Sequence, residues 1–264
     1  MNMNELPALS PHPFDISGQV IIVTGASSGI GQGVARELAV LGARVVATAP
    51  TREEMEIIAE DARRHALEGK ILPRLLDVLA VPSIEPFVQD LVADLGRIDV
   101  LFNNAGLGFA RAPFDVSEAD WDLMMGVNLR GLFFMCQAVG RVMVHQGEGR
   151  IVNMASQGGV VGLPDAVVYC ASKGGVIMAT KALAIEWGRY GLTVNALAPT
   201  FVYTPGAAPI LDDPIRGAEV RAKIPVGRLA TTDDIAAAVA YLASPAGRMI
   251  NGHVLLVDGG WTAQ

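Results

Sequence analysis

From Gln19 onward, short apolar runs alternate with stretches in which apolar residues recur every three or four positions. The runs Val20–Thr24, Arg44–Thr48, Ile71–Leu76, Val100–Asn103, Arg150–Ala155, Thr193–Ala198 and His253–Val257 predict strands. Val, Ile and Leu fill successive positions in them, so both faces of each strand need cover, as in a parallel sheet between two helix layers. In the intervening segments Ile30, Val34, Leu38 and Leu41 share one helix face. A further helix is predicted over about Thr231–Ala243, with Thr232 or Asp233 as its N-cap. Strand and helix repeated in this order predict an α/β fold, a doubly wound parallel sheet of about seven strands. No composition break and no repeat with a period of about 20–50 residues divides the chain, so one domain is expected.

Two segments fall outside this rhythm. Residues 1–17 read as a polar, Pro-bearing arm preceding a domain over 18–264. Residues 199–225 carry Pro199, Pro205, Pro209, Pro214 and Pro225 and little strand pattern. A connection that long inside a compact domain is expected to serve as a lid over a site.

Composition narrows the class. Hydrophobic residues make up 51% of the 264 and charged residues 18%, which fills a core and excludes a disordered chain. The net charge is -7 and the 20 Lys and Arg are scattered, so no nucleic-acid partner is expected. Cys136 and Cys170 are too few for a disulfide framework and read as reduced core thiols of a cytoplasmic protein. The start MNMNELPALSPHPFD lacks the basic and apolar regions of a signal peptide. The longest uncharged stretch, Tyr190–Leu211, holds three prolines and cannot form a membrane helix, so no membrane partner is expected.

The first predicted strand ends in Thr24-Gly25-Ala26-Ser27-Ser28-Gly29-Ile30-Gly31. Gly25 permits a tight turn, and Gly29 and Gly31 clear side chains from places where a backbone approaches a ligand or the sheet. The helix that follows would aim its free N–H groups at a pyrophosphate, although the spacing is not G-x-G-x-x-G. At the end of the second strand an acidic residue would read a free ribose 2′-hydroxyl. That place, near Ala49, holds no acid, while Thr48, Thr51 and Arg52 could hold a 2′-phosphate. Asp77, followed by Val78, could bond an adenine amine or serve as a turn residue.

The chemistry lies further along. Tyr169 and Lys173 are four apart, one turn of a helix, and Ser156 precedes them by thirteen residues. A tyrosine with a pKa of about 10 is a poor base at neutral pH, and a neighbouring ammonium favours its phenolate. A drop of about three units corresponds to about 4 kcal/mol. Ser156 offers a hydroxyl to hold a substrate oxygen beside Tyr169.

Together these segments resemble the short-chain dehydrogenase/reductase family. Thr24–Gly31 resembles its T-G-x-x-x-G-I-G motif, and Asn103-Asn104-Ala105-Gly106 its N-N-A-G segment. Asn128, Ser156, Tyr169 and Lys173 match its active-site tetrad, and Asp77 its adenine-contacting aspartate. The likeness spans residues 18–261 and implies a Rossmann-like sheet and an NADP or NAD cofactor, with no metal. It implies Tyr169 as general acid/base, Lys173 lowering its pKa and bonding the nicotinamide ribose, Ser156 orienting the substrate oxygen and Asn128 holding a water. Gly25, Ser27, Ser28, Gly29, Ile30 and Gly31 would cradle the cofactor, with Asn104, Ala105, Gly106, Pro199, Val202 and Thr204 along its length and Thr204 at the carboxamide. Two departures stand out. Thr200 follows Pro199 where the family usually has glycine, and Ser28 replaces the basic residue of many NADP-dependent members. The vacant acidic place tilts the expectation towards NADP, and Ser28 weakens that tilt.

The expected reaction is hydride transfer between a nicotinamide cofactor and a small alcohol or carbonyl compound. A sugar or polyol is favoured over a 3-oxoacyl thioester, because Arg216, Arg221 and Lys223 are interleaved with Asp212, Asp213 and Glu219 and form no basic rim. A non-catalytic, nucleotide-sensing relative is the reading from another class. Finally, helices at about Trp121–His145 and Val167–Arg189 carry Phe133, Phe134, Met135, Val139, Val142, Met143, Val176, Ile177, Met178, Leu183 and Trp187. That is more apolar surface than one sheet contact needs. With an apolar edge strand at Val254–Val257, it predicts the homotetramer common in the resembled family.

Overall fold

The computed structural model describes residues 12–263. Seven strands, β1 (Val20–Val23), β2 (Arg44–Ala49), β3 (Ile71–Leu75), β4 (Val100–Asn103), β5 (Gly149–Met154), β6 (Leu192–Pro199) and β7 (Val254–Val257), form one parallel sheet. Their order is β3-β2-β1-β4-β5-β6-β7. The helices are α1 (Gly29–Val40), α2 (Arg52–Arg64), α3 (Val81–Leu95), α4 (Glu118–Met125), α5 (Leu132–Gln146), α6 (Val167–Trp187), α7 (Ala208–Leu211), α8 (Pro214–Ala222) and α9 (Thr232–Ala243).

Alternation along each strand divides the core. Ile21 and Val23 face one side with Val45, Phe102 and Leu197, under α1, α2 and α9. Val20 and Ile22 face the other with Leu101, Ile151 and Val194, under α3, α5 and α6. Each fully buried Val, Leu or Ile contributes about 1.5–3 kcal/mol, which is why no strand tolerates a polar face here. The strand order reverses between β1 and β4, and at such a switch point an open α/β sheet forms a crevice outside the carboxyl ends of its strands.

The structure differs from the pattern-based expectation in three places. The N-cap of α9 is Thr231, whose side chain closes a capping box with Asp234, rather than Thr232 or Asp233. The segment 199–225 contains α7 and α8, whose prolines sit at the first or second helical position, where a missing N–H costs nothing. These helices enclose a small core of their own, Leu211, Val220 and Ile224, packed with Phe201, Ile210 and Trp261. Of the expected arm, residues 1–11 lie outside the described residues. The chain already joins the core ahead of residue 18, since Ile16 is 1% exposed and the Pro13 carbonyl accepts from the Ala246 N–H at 2.8 Å.

Three polar side chains are buried between β4, β5 and α6. Asn103 Nδ2 donates to Asn153 Oδ1 at 2.9 Å, and Asn153 Nδ2 donates to Thr180 Oγ1 at 3.0 Å. An Asn153→Ala substitution strands both partners in a dry interior and is expected to cost about 2–4 kcal/mol. Urea unfolding measures it, and a loss below about 0.5 kcal/mol would mean that the network contributes nothing net.

Candidate functional site

The turn after β1 needs glycine for conformation and for space. Gly25 and Gly29 have φ of +64° and +58°, where L side chains are strained. A Cβ on Gly25 would stand 2.8 Å from Ala105 Cα, and one on Gly31 would collide with the Gly25 carbonyl and the Asn104 amide. The turn is pinned from β4. Thr24 Oγ1 accepts from the N–H groups of Asn104 at 3.0 Å and Ala105 at 2.9 Å. Asn104 Nδ2 donates to the carbonyls of Thr24 and Gly25, each at 2.9 Å. The Asn104 side chain is thus a brace for the turn. α1 starts without a side-chain cap or an acidic residue in its first turn, whereas α2, α4 and α9 have both. Its N–H groups and positive dipole end suit an external anion such as a diphosphate.

Beyond the turn, the expected phosphate-holding residues separate. Thr48 is fully buried at 0% exposure, and its hydroxyl has no hydrogen-bond partner. Thr51 is exposed, but its hydroxyl caps α2 by accepting from the Glu54 N–H at 3.2 Å. Arg52 stays exposed at the start of α2. Asp77 serves as a turn residue, with Oδ1 accepting from the Leu79 N–H at 2.9 Å. Val78 is buried in the core against Gly131. Pro199 closes β6, Val202 bridges to Ala230, and Thr204 stands over the turn, 3.4 Å from where a Gly29 Cβ would be.

The tetrad residues converge at the other end of the crevice. Ser156 follows β5, accepts from the Gly158 N–H at 3.1 Å and hydrogen-bonds the Tyr169 hydroxyl. Two glycines bracket the Tyr169 ring. A Cβ on Gly108 would lie 3.1 Å from its Cδ2, and one on Gly158 3.4 Å from its Cε1. Lys173 is 3% exposed; its Nζ donates to the Met154 carbonyl at 2.8 Å and lies 5.9 Å from the Tyr169 ring centroid. Asn128 lies in a π-helical turn, Gly126–Gly131, between α4 and α5. Such wide turns are frequent at functional sites. Its Nδ2 donates to the Leu107 carbonyl at 2.8 Å and to Ser172 Oγ at 3.1 Å, and its Oδ1 accepts from the Leu107 N–H at 2.8 Å. Ser172 Oγ in turn donates to the Tyr169 carbonyl at 2.8 Å. Gly106 leaves room beside both, since a Cβ there would be 3.2 Å from Asn128 Oδ1 and 3.4 Å from Lys173 Nζ.

Burial governs the protons of this pair. It pulls Lys173 down to about 8, and it pushes Tyr169 up, against the opposing Ser156 hydrogen bond. The expected lowering of Tyr169 by Lys173 is therefore not the leading influence, because burial drives the ammonium itself towards neutrality.

A family model described as enoyl-(acyl carrier protein) reductase matches residues 25–262. The chain is 43% identical to D-threitol dehydrogenase of Mycolicibacterium smegmatis over 94% of this chain and 95% of that protein. It is 36% identical to NAD-dependent glycerol dehydrogenase of Listeria innocua over 94% of this chain and 96% of that one. A solved gluconate 5-dehydrogenase from Burkholderia cenocepacia, in complex with NADP and tartrate, superposes with a TM-score of 0.90 at 34% identity, covering 96% and 98% of the two chains. The chain belongs to the short-chain dehydrogenase/reductase family. Within this short-chain dehydrogenase/reductase, several neighbours of the tetrad were not foreseen: Gly108, Gly158, the Met154 carbonyl and Ser172. Only Ser172 left a trace, lying between Tyr169 and Lys173 at i+3 from the tyrosine.

Lys173 binds its proton more weakly folded, at about 8, than at the ordinary 10.5 of an unfolded chain. Below pH 8 both states are protonated and the folded state bears the whole cost of a buried ammonium. Between about 8 and 10.5 the folded protein releases the proton first, so stability gains with pH there. The stability advantage of Lys173→Met over the unaltered protein should fall by about 3 kcal/mol between pH 7 and pH 10.5. Urea unfolding at the two pH values tests it; a pH-independent difference contradicts it.

Proposed function

We propose that the protein is an NAD(P)-dependent oxidoreductase that transfers a hydride between the nicotinamide and a small alcohol or carbonyl compound, a sugar or polyol. The observation that carries this reading is the Tyr169 hydroxyl, hydrogen-bonded by Ser156 and bracketed by Gly108 and Gly158, with Lys173 one turn away. The cofactor supplies the hydride acceptor or donor when bound. Tyr169 takes the proton of the substrate hydroxyl in oxidation and returns it in reduction. Ser156 holds the substrate oxygen next to Tyr169. Lys173, charged below about pH 8, stabilises the phenolate and reaches the nicotinamide ribose. Asn128 fixes the loop at Leu107 and holds a water on the proton route. The turn from Gly25 to Gly31 and the free first turn of α1 take the diphosphate, with Gly106 and Thr204 along the nicotinamide half. Residues 199–225 cover the substrate.

A polyhydroxy substrate is supported by the covering segment. Asp213 caps α8 and Asp212 accepts from the Tyr203 hydroxyl at 3.1 Å, so acids remain among Arg216, Arg221 and Lys223. A reductase of acyl-carrier thioesters would want an uninterrupted basic rim. The similarity to threitol, glycerol and gluconate dehydrogenases points the same way. A nucleotide sensor without turnover has less support, since all four tetrad positions are filled and converge.

We also propose a cytoplasmic homotetramer. Met135, Val139, Met143, Val176 and Ile177 belong to the protein's own core, which shortens the apolar surplus expected from the sequence. Of the residues expected, Phe133 and Met178, at 62% exposure, stay at the surface; Ile185, at 81%, adds to them, and β7 ends the sheet and exposes Leu256. Light scattering at micromolar concentration should give four times the chain mass; a stable species of 27.7 kDa would refute the assembly.

Tyr169→Phe removes the transferable proton while keeping the ring between its glycines. Turnover with threitol, glycerol or gluconate, whichever is the best substrate in a panel that includes a 3-oxoacyl thioester, should drop by about two to four powers of ten. Near-normal turnover would sink the assigned role.

A further inference from the structure

The choice between NAD and NADP is made around the 2′ position of the adenosine ribose, where the glycine-rich turn, the end of β2 and the start of α2 meet. The Ala26 N–H donates to the Thr48 carbonyl at 2.8 Å, which fastens the turn to the β2 end. Neither Ala49 nor Ser28 brings a charge to this corner. Thr48 is buried, and Thr51 is engaged as a cap.

A carboxylate does reach it. Glu54, in the first turn of α2, places Oε2 2.6 Å from Ser27 Oγ, across 27 residues of chain. The contact is not the local default. In α4 and α9 the acid at the third helical position, Asp120 or Asp234, turns back to the N–H of its own cap residue, Ser117 or Thr231. Glu54 occupies the same position behind Thr51, and its side chain goes to the glycine-rich turn instead. The bond also sets the polarity of Ser27. Its single proton is donated to Glu54, so the hydroxyl offers only lone pairs to a ligand. A ribose hydroxyl can donate to those lone pairs and to the carboxylate. A phosphate dianion meets a carboxylate there, and the cation at the start of α2, Arg52, stands among Glu53, Glu54 and Glu56.

We infer that Glu54, held against Ser27 by their hydrogen bond, selects the dinucleotide that lacks a 2′-phosphate, supplying from α2 the acid that is missing at the end of β2. The inference rests on the dinucleotide reading proposed above, and it sets aside the tilt towards NADP that Thr48, Thr51 and Arg52 suggested.

Binding of the reduced cofactors, followed by fluorescence titration without any substrate, tests it. The unaltered protein should bind NADH about tenfold or more tighter than NADPH at low salt, the size expected of like charges in contact at a surface. Glu54→Gln keeps the shape, removes the charge and should shrink that ratio about tenfold by tightening NADPH. Raising the salt should narrow the ratio in the unaltered protein and leave it nearly constant in the variant. NADPH bound as tightly as NADH by the unaltered protein overturns the inference, as does a ratio that Glu54→Gln leaves unchanged while both dinucleotides bind. If neither protein binds either dinucleotide, the dinucleotide site itself is wrong and the inference falls with it.

Discussion

Everything at this site depends on one close approach: the turn after β1 lies in contact with the first residues after β4. Two strands that part at a switch point leave their terminal backbone groups without neighbours. Thr24 and Asn104 fill that gap, one accepting from two N–H groups and the other donating to two carbonyls. The bracing fixes where α1 begins and therefore where its uncapped N–H groups point. It also sets the path of the chain through Gly106 to Gly108, which forms one wall beside Lys173 and Tyr169.

The opposite wall is assembled from a different kind of constraint. A buried ammonium with a carbonyl partner is unfavourable for folding, and natural proteins keep such groups where chemistry needs them. Here the cost is contained by a short chain of contacts. Met154 at the end of β5 holds Lys173, and Ser172 joins the Tyr169 carbonyl to Asn128. Asn128 in turn grips both backbone groups of Leu107. The π turn puts Asn128 in position, and Gly126 and Gly131 let that turn pack closely on Leu79 and Val78.

The sheet was legible because a strand covered on both faces is rich in apolar residues at successive positions, as Val20–Val23, Val45–Ala47 and Val100–Phe102 are. The tetrad was legible because its residue types are rare in combination and occur in order. The π turn was not, since one extra residue in a short helical stretch leaves no mark on a period of three to four. The burial of Thr48 was hidden for a related reason: in a strand covered on both sides, alternation does not tell which residues end up inside. The helices between 199 and 225 were hidden by Pro209 and Pro214, which break a helix in its interior but are tolerated at its start. The Ser27–Glu54 contact joins residues from separate elements, and no local pattern announces it.

Because Phe201, Ile210, Leu211, Val220, Ile224 and Trp261 pack on one another, the segment that carries α7 and α8 is part of a small unit with its own interior. Such a unit can be exchanged for one of another shape without repacking the two layers that hold the sheet. A change of substrate, on the reading proposed above, would then resemble changing a fitting on a fixed frame: the frame is the sheet with its two layers, and the fitting is this unit.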